Sequence, residues 1–478
     1  MRRSLPFLLA ALAIVRLWLL PLPSSFWVDE MVTAFVVHYG PTHPSLAAAP
    51  QVPESIYYQL PKLFETFFGF SEIVYRLPST LLMALALYLI YRLAARLIHP
   101  DAGWFAVFAC FSMRLFNYQA ADARPYALGT CVASAALWFL VKWCDESRWR
   151  DAALFLIFAA LLWRVHLIYW PCYILFFLYA AVRVPLPRVL TVFTILAAAL
   201  IPVALRALAI LHQAQAHVVA DHMPGPSDLN RALKFSLVLG CPAAAWLLSR
   251  LVKSPYRAFN QPTLILVLGW WLIHPLALFA FSWFTHNSVF VDRYLSVSLP
   301  GAALTATLLT AYFLPPQYWR NGSLAFGVGV VLLMGSWRVH LLHHNSNWRL
   351  ASETVRALHL PASTPIIYPS VFIEARPPVW RPDYDLPGFL YCHLLIYPIS
   401  GSAYLFPFEM SPDAEGYGAE LARGVLPGSA SFVIYGGDVN AERWQKWFAA
   451  RPELARWHSR SLGKFGDVEP VLFERDAN

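Results

Sequence analysis

Long apolar segments recur along most of the chain and constrain its fold more than any other feature. A helix that crosses a bilayer needs roughly 20 predominantly apolar residues, and several of these segments approach or exceed that length. Charged residues make up only 13% of the 478 residues and the mean hydropathy is +0.50, whereas about a quarter of a typical soluble domain is charged. The chain is therefore predicted to be an α-helical polytopic membrane protein.

Eleven segments are predicted to span the membrane. The first runs from Met1 to about Pro23; a secretory signal begins in the same way, but no small-residue cleavage site follows, so this segment is interpreted as a spanning helix. Residues 152–164 give the weakest prediction because they are few for a span. The other nine predicted spans are residues 78–98, 103–120, 126–142, 166–183, 189–211, 233–249, 262–285, 294–314 and 322–342.

Basic residues predict the orientation of these spans. Lys and Arg that flank spanning helices remain on the cytoplasmic side, and a cytoplasmic N-terminus places most of them there. The inner basic residues are Arg2, Arg3, Arg92, Arg96, Lys142, Arg148, Arg150, Arg183, Arg188, Arg250, Lys253, Arg257 and Arg320. The net charge of +8 is therefore attributed to cytoplasmic loops, and no nucleic-acid partner is expected.

Two domains are predicted. Residues 1–344 are assigned to a membrane domain that includes the first outer loop, 24–77, and residues 345–478 to a small extracytoplasmic α/β domain. In the first loop, residues Phe26–Tyr39 are predicted to form an amphipathic helix that lies in the membrane interface. The α/β domain is predicted from the helix-like segments Trp348–Leu358 and Val439–Ala450 and the strand-like segments Pro365–Phe372 and Ser431–Tyr435.

Asp29 and Glu30, just beyond the first span, are the sharpest candidates for chemistry. Neighbouring residues on a helix point about 100° apart, so one acid can face a cavity while the other faces water or a cation. An apolar wall raises the proton affinity of a carboxylate, which is what a general base near neutral pH requires. The alternative is an acid pair that only stabilises a helix N-terminus through the helix dipole.

A second motif, Asp122-Ala123-Arg124-Pro125-Tyr126, lies in a tight outer connection. Its proline suits the first turn of the helix that follows. Asp122 and Arg124 are candidates for a polar site. The alternatives are that Asp122 only caps this helix and that Arg124 only extends towards the lipid headgroups.

A third group consists of isolated polar residues, each of which is alternatively an anchor at the membrane interface. They are Arg16 in the first span, Arg76 in Tyr75-Arg76-Leu77-Pro78-Ser79, His166 at an outer turn, and Asp292-Arg293-Tyr294 in a short outer loop. The predicted topology brings them to the same outer boundary as the two acid motifs. Guanidinium groups at this depth can bind an anionic lipid phosphate through paired hydrogen bonds.

Several of these motifs occur in a recognisable order along residues 5–345. They are the acid pair after the first helix, Ile56–Leu60, Phe68–Glu72, Arg76–Ser79, Ala123–Leu128, His166, and Arg293-Tyr294-Leu295 with Pro300. In this order and at these membrane depths, they resemble the polytopic GT-C glycosyltransferases, in the bacterial branch related to protein O-mannosyltransferases and the lipid A aminoarabinose transferase. Residues after 345 resemble this family only through Asn347-Trp348-Arg349.

The resemblance implies a GT-C-like fold in the bacterial inner membrane, with a polyprenyl-phosphate sugar as donor and an extracytoplasmic glycan, lipid or protein as acceptor. It implies transfer with inversion, with Asp29 as the base and Glu30 as its neighbour. Asp122 would hold a divalent cation (Mg²⁺, Mn²⁺ or Zn²⁺) or orient the acceptor. Implied donor-phosphate contacts are Arg76, Arg124, Arg293 and Tyr294, and implied pocket residues are Arg16, Tyr57, Tyr58, Tyr126 and His166.

One departure from the family is Pro53-Glu54-Ser55, where many relatives carry His-Pro-Pro. It predicts an unusual acceptor or an altered activity. Two other functions stay open: a lipid-linked sugar transporter or flippase, and a catalytically silent scaffold of the cell envelope. A transporter would place polar residues near the midplane and on both sides, whereas most lie on the outer side here. The C-terminal domain is assigned to acceptor recognition by its position.

Overall fold

The computed structural model describes residues 4–213, 222–252, 258–336 and 343–476. Contacts within the chain divide it into two compact units. The first, the helical unit, comprises Met1–Leu22 and Glu54–His340, and the second, the mixed unit, comprises Pro23–Pro53 and Leu341–Asn478. The sequence assigns all of residues 24–77 to the membrane domain, whereas the contacts group Pro23–Pro53 with the C-terminal residues.

Helices are numbered here in chain order across both units. Those of the helical unit are α1 (Leu5–Ile14), α3 (Gln59–Phe68), α4 (Glu72–Leu97), α5 (Gly103–Phe111), α6 (Arg114–Ala120), α7 (Tyr126–Glu146), α8 (Trp149–Val165), α9 (Pro171–Arg183), α10 (Leu186–Gln213), α11 (Pro226–Leu233), α12 (Phe235–Val252), α13 (Gln261–Thr285), α14 (Leu299–Phe313) and α15 (Trp319–Ser336). A short π-helix, Val15–Leu19, continues α1. Most predicted spans therefore coincide with a helix or with two consecutive helices.

Five helices of the described chain are long and apolar enough to cross a membrane. They are Glu72–Leu97, Tyr126–Glu146, Leu186–Leu211, Gln261–Thr285 and Asp292–Phe313. A sixth results if α11 and α12, which meet at 50°, form one bent span. The protein is therefore a multi-pass membrane protein, while eleven spans and their orientation stay predictions. Arg2, Arg3, Lys253, Arg257 and residues 337–342 of the last predicted span lie outside the described residues.

The predicted span 103–120 is broken into α5 and α6. Asn117 stabilises this break, since its side-chain amide donates hydrogen bonds to the carbonyl oxygens of Phe111 (2.7 Å) and Met113 (3.0 Å). Its amide oxygen accepts a hydrogen bond from Trp18 Nε1 in the π-helix (3.0 Å). One buried amide thus satisfies backbone groups that the break leaves unpaired and joins it to the first helix.

The mixed unit contains α2 (Val28–Tyr39), α16 (Trp348–Arg356), α17 (His393–Ile396), α18 (Pro412–Gly424) and α19 (Asp438–Ala449). Its sheet comprises β1 (Pro365–Pro369), β2 (Ser402–Phe406), β3 (Ser431–Gly437), β4 (Trp457–Ser461) and β5 (Val468–Arg475), in the order β2-β1-β3-β5-β4. β1 pairs in parallel with β2 and β3, whereas β5 is antiparallel to β3 and β4. The predicted α/β fold of this region is confirmed.

The prediction that residues Phe26–Tyr39 lie in the membrane interface is wrong. The apolar side chains of this segment are buried in protein; Phe26, Met31 and Phe35 are 0% exposed. Within the mixed unit, α17 packs against α2. The most exposed apolar side chains of the first loop belong instead to α3, where Phe67 and Phe68 are 73% and 68% exposed.

Candidate functional site

The two acids of the first loop occupy the first turn of α2 and differ in their surroundings. Glu30 is fully buried, and its Oε2 accepts a hydrogen bond from the backbone N–H of Trp27 (3.3 Å). This is the helix-start role that the alternative interpretation gave to the pair. Asp29 is only half-buried. The structure therefore gives Glu30 a structural task and leaves Asp29 as the more accessible carboxylate.

Hydrogen bonds within the mixed unit hold the residues that lead into α2. All of them join the segment before the helix to residues near the C-terminal domain. The pairs are His343 N to Ser24 Oγ (2.9 Å), Arg349 N to Ser25 Oγ (3.2 Å), Arg349 Nη2 to the Pro23 carbonyl oxygen (2.6 Å), and Phe26 N to Tyr397 Oη (2.8 Å). The C-terminal residues thus position the acid pair, a task that the sequence did not predict.

His343 brings a nitrogen ligand to this region. Its ring and the Glu30 carboxylate offer ligand atoms within 4.8 Å of each other, and both residues are buried. The next residue, His344, stacks on Trp27 at the start of α2, with ring centroids 4.6 Å apart. Imidazole and carboxylate are ligand types that suit Zn²⁺ or Mn²⁺. His343 was not predicted from the sequence as a ligand residue, although the pair His343-His344 directly follows the last predicted span and is a pattern from which a metal ligand could have been predicted.

In the helical unit, three predicted site residues form an aromatic cluster, which we call the ring pocket: Tyr126, His166 and Tyr294. The His166 ring centroid lies 5.1 Å from that of Tyr294 and 6.1 Å from that of Tyr126. Tyr126 and Tyr294 are also 6.1 Å apart. These residues come from the start of α7, the turn after α8, and the 3₁₀ turn Asp292–Ser298. The prediction that these segments converge is confirmed for these three side chains.

Two arginines bring positive charge to the ring pocket. The Arg293 guanidinium carbon lies 5.5 Å from the centre of the Tyr294 ring, and Arg124 lies in the loop directly before Tyr126. Both arginines lie close enough to His166 for their charges to act on it. The ring pocket thus combines two cations with an imidazole that can form hydrogen bonds with a ligand.

Asp122 lies in the connection between α6 and α7 and is buried, with 1% of its surface exposed. It does not cap α7, because the N-cap residue of that helix is Pro125 and no side chain caps it. The alternative that Asp122 only caps this helix is thus wrong. A buried carboxylate is costly unless it is paired, hydrogen-bonded or bound to a metal.

The segment with Tyr57 and Tyr58 packs beside the ring pocket. Ser55 Oγ donates a hydrogen bond to the carbonyl oxygen of Val165 (2.7 Å), the residue directly before His166. The hydroxyl of Tyr57 lies 3.1 Å from that of Ser79 on α4, and both residues are fully buried. Tyr58 is buried next to it, with the two rings 6.2 Å apart. These bonds fix both tyrosines.

Arg16 and Arg76 have different surroundings from the residues of the ring pocket. Arg76 is fully buried, and its Nη1 donates a hydrogen bond to the carbonyl oxygen of Leu22 (2.8 Å). It therefore supports the end of the first span, and its contact with a donor phosphate stays a prediction. Arg16 lies half-buried in the π-helix Val15–Leu19, a type of distortion that is frequent at functional sites.

Further residues beside the ring pocket were not predicted. The ring of Tyr169 lies 6.0 Å from His166 and 6.1 Å from His274, and His274 Nε2 lies 2.9 Å from the Tyr294 carbonyl oxygen. Gly129 makes room for Tyr169, because a Cβ atom there would lie 2.3 Å from the tyrosine ring. The only signal in the sequence was that Tyr169 follows His166 by three residues.

Comparisons with known proteins agree with this architecture. Residues 56–212 match the family described as dolichyl-phosphate-mannose-protein mannosyltransferase. This match includes Tyr57, Asp122, Arg124, Tyr126 and His166. No curated protein matches the chain.

The fold is that of a solved membrane enzyme. The crystal structure of ArnT from Cupriavidus metallidurans in the apo state matches with a TM-score of 0.58 and 13% identity, over 98% of this chain and 97% of that chain. The structure of ArnT bound to undecaprenyl phosphate matches with a TM-score of 0.56, 12% identity and the same coverage. ArnT is the lipid A aminoarabinose transferase, so the resemblance that the sequence predicted is confirmed. The chain thus shares the fold of a membrane glycosyltransferase of the GT-C type over nearly its whole length, and about a third of it matches the mannosyltransferase family.

Proposed function

We propose that this protein transfers a sugar from a polyprenyl-phosphate donor to an extracytoplasmic acceptor, with inversion at the anomeric carbon. The acceptor is a glycan, lipid or protein of the cell envelope, and the enzyme lies in the bacterial inner membrane with its N-terminus in the cytoplasm. The observation that carries the proposal is the ring pocket of a multi-pass membrane protein, where Tyr126, His166 and Tyr294 pack together and the Arg293 guanidinium carbon lies 5.5 Å from the centre of the Tyr294 ring. Undecaprenyl phosphate is bound in one ArnT structure.

Arg124, Arg293 and Tyr294 bind the donor phosphate in this proposal. Guanidinium groups form strong, charge-assisted hydrogen bonds to phosphate oxygens. Their charge also stabilises the lipid phosphate that leaves when the bond to the sugar breaks. His166 and the Tyr126 ring contact the uncharged parts of the donor in this proposal. Arg76, Tyr57, Tyr58 and Arg16 support the pocket from around it.

Asp29 is the general base. Its carboxylate removes the proton from the acceptor hydroxyl while the acceptor oxygen attacks the anomeric carbon, and the bond from that carbon to the phosphate oxygen breaks. One displacement from the opposite side inverts the anomeric centre. The half-buried state of Asp29 supports this role, since a base must be accessible to its substrate. Glu30 positions the helix turn on which Asp29 lies.

A divalent cation fits the chemistry of these residues. Glu30 and His343 of the mixed unit are a buried carboxylate and imidazole with ligand atoms within 4.8 Å of each other. In the helical unit, buried Asp122 is proposed by itself to hold a divalent cation or to orient the acceptor. A nitrogen ligand favours Zn²⁺ or Mn²⁺ over Mg²⁺. Such an ion would supply positive charge that stabilises the departing phosphate.

Purified protein in lipid nanodiscs tests the proposal with a panel of polyprenyl-phosphate sugars and candidate acceptors, with and without divalent metal. Release of free lipid phosphate from one donor, lost in Asp29→Asn, would support the enzyme and identify the sugar. Movement of a lipid-linked sugar between leaflets without release of lipid phosphate would contradict it in favour of a transporter. Absence of donor binding would contradict it in favour of a scaffold.

A further inference from the structure

Four buried polar atoms lie beside the ring pocket without a hydrogen-bond partner among the described residues. They are the hydroxyl oxygens of Thr130, Tyr169 and Ser296 and the Nδ1 atom of His274. Thr130 and Tyr169 are 0% exposed, Ser296 is 1% exposed and His274 is 2% exposed. We call these residues the unpartnered set. Buried polar groups are nearly always hydrogen-bonded, so four in one region need an explanation.

The unpartnered set is gathered around Tyr169. The Tyr169 ring lies 6.1 Å from His274 and 6.0 Å from His166 of the ring pocket. Ser296 lies beside the Tyr169 hydroxyl, although the two hydroxyls lack the geometry of a hydrogen bond. Thr130 follows Gly129, whose missing side chain lets the Tyr169 ring approach α7. The set therefore borders the proposed donor site.

Neighbouring hydroxyls on the same elements do have partners. On α7, Ser134 Oγ donates a hydrogen bond to the Thr130 carbonyl oxygen (2.7 Å). On the 3₁₀ turn, Ser298 Oγ donates to the Leu295 carbonyl oxygen (2.7 Å). The fold thus satisfies a hydroxyl four residues beyond Thr130 and one two residues beyond Ser296. The unpartnered hydroxyls of Thr130 and Ser296 thus differ from partnered hydroxyls on the same elements.

The chemistry of the set selects the ligand. His274 Nε2 lies 2.9 Å from a carbonyl oxygen, the Tyr294 carbonyl, so Nε2 carries the proton and Nδ1 can only accept. Each of the three hydroxyls can both donate and accept. All four groups are uncharged when His274 is neutral, and they lie next to aromatic rings that can stack on the apolar face of a sugar. An uncharged, hydroxyl-rich ring matches these features.

We propose that Thr130, Tyr169, Ser296 and His274 bind the hydroxyl groups of the donor sugar, and that this sugar is neutral. The proposal rests on the function proposed above and extends it from the phosphate to the sugar. The arginines recognise the phosphate that every polyprenyl-phosphate donor carries, whereas the unpartnered set recognises the group that differs between donors. It therefore determines the choice of sugar.

Binding of two lipids to the full-length protein in nanodiscs tests the site: polyprenyl phosphate, and polyprenyl phosphate mannose. The variants are Thr130→Val, Ser296→Ala and Tyr169→Phe, which remove one hydroxyl each and keep the shape. The matched controls are Ser134→Ala and Ser298→Ala. Each site variant is expected to weaken binding of the mannose lipid about threefold to tenfold, the effect of one lost hydrogen bond, and to leave polyprenyl phosphate binding unchanged. The controls should change neither affinity.

Thermal unfolding of the same proteins checks that each variant folds. If Thr130→Val and Ser296→Ala keep the wild-type preference for the mannose lipid while their unfolding temperatures change, the set holds internal water and the proposal is overturned. The same holds if the controls lose as much affinity as the site variants. If wild-type protein binds neither lipid, the proposed function fails as well, so the two failures are distinguishable.

Discussion

The two units carry different kinds of proposed functional group. The helical unit carries Arg124, Arg293 and the aromatic rings of the ring pocket, whereas the mixed unit carries Asp29, Glu30 and His343. The first set suits an anionic phosphate and the second suits proton removal and metal binding. The proposed phosphate contacts thus belong to the helical unit and the proposed base to the mixed unit, which predicts that donor binding and turnover can be impaired independently.

The units also hold their residues in different ways. The ring pocket lies on helix ends and short turns of an apolar helical bundle, with Ser55 and Gly129 fixing close approaches. The acid pair depends on side-chain and backbone hydrogen bonds from Arg349 and Tyr397 to the segment before α2. Single polar substitutions far from Asp29 in sequence should therefore affect turnover.

The largest expected effect comes from Asp29→Asn. Removal of the base should lower turnover by about 10³-fold or more, with donor affinity within about twofold of wild type because the phosphate contacts are untouched. Steady-state release of lipid phosphate measures the first quantity and donor binding in nanodiscs the second. Asp383→Asn, at a carboxylate whose side chain is 80% exposed, is the matched control and should change neither. Turnover near that of wild type in Asp29→Asn would contradict the assignment.

Arg293→Gln should give the next largest effect. It should change donor affinity, whereas Asp29→Asn changes turnover. Loss of a charge-assisted contact to phosphate is expected to weaken donor binding by about 10-fold to 100-fold. Arg188→Gln, at an exposed arginine, serves as control. Unchanged donor affinity in Arg293→Gln would remove this residue from the donor site.

Arg349→Ala tests how the mixed unit positions Asp29. The guanidinium group holds the Pro23 carbonyl oxygen at 2.6 Å, so its loss should free the entry to α2 and lower kcat about 10-fold, as misplacement of a catalytic group does. Donor affinity should stay within about twofold, since Arg349 belongs to the other unit. Arg443→Ala, at an exposed arginine of α19, is the control. A lower donor affinity without a change in kcat would contradict the assignment of donor binding to the helical unit and of the general base to the mixed unit.

A smaller effect is expected from pH on the free energy of unfolding of the mixed unit. His393 is 1% exposed and surrounded by aromatic rings, and burial lowers its pKa to about 3. Below about pH 6.5 the unfolded chain binds a proton that the folded chain does not, so stability should fall as the pH falls. The expected loss is about 1 kcal/mol between pH 6.5 and 5.5. Thermal unfolding at several pH values measures how steeply stability changes with pH in wild type and in His393→Phe. Equal slopes of stability against pH in the two proteins would contradict the assignment of this effect to His393.

The smallest effect is expected at the ion pair of Glu54 and Arg206. Glu54 belongs to the segment that departs from the family motif, and Arg206 Nε lies 2.7 Å from its Oε1. Both side chains are partly exposed, at 30% and 48%, and exposed ion pairs contribute little to stability. Glu54→Gln should change turnover by less than about twofold at physiological salt. A change above tenfold would place this pair in the site.

Apolar segments predicted most of the fold because length and hydropathy determine which helices a bilayer accepts. In the C-terminal region, residues 365–369 and 431–437 were found because they are continuous buried strands. β4 was missed because Trp457–Ser461 is a polar, partly exposed edge strand, and β5 because Pro470 interrupts it. Neither strand carries the alternation on which strand prediction relies.

The candidate site was predicted unevenly for a physical reason. Tyr126, His166 and Tyr294 were found because equal membrane depth brings residues from distant segments close together. Membrane depth does not determine the position of a residue within the plane of the membrane. Depth therefore also selected Arg76 as a phosphate contact, whereas its Nη1 donates a hydrogen bond to the Leu22 carbonyl oxygen. His343 and Tyr169 were missed since their neighbours depend on packing. The burial of α2 was missed because an apolar helix face fits protein as well as it fits lipid.

The most direct test of the division between the units compares Asp29→Asn and Arg293→Gln side by side in nanodiscs, measuring donor affinity and single-turnover release of lipid phosphate at saturating donor. We expect Asp29→Asn to bind donor as wild type does and to release no lipid phosphate. Arg293→Gln should bind donor weakly and still release lipid phosphate once saturated. Loss of donor binding in Asp29→Asn, together with wild-type affinity in Arg293→Gln, would contradict the account.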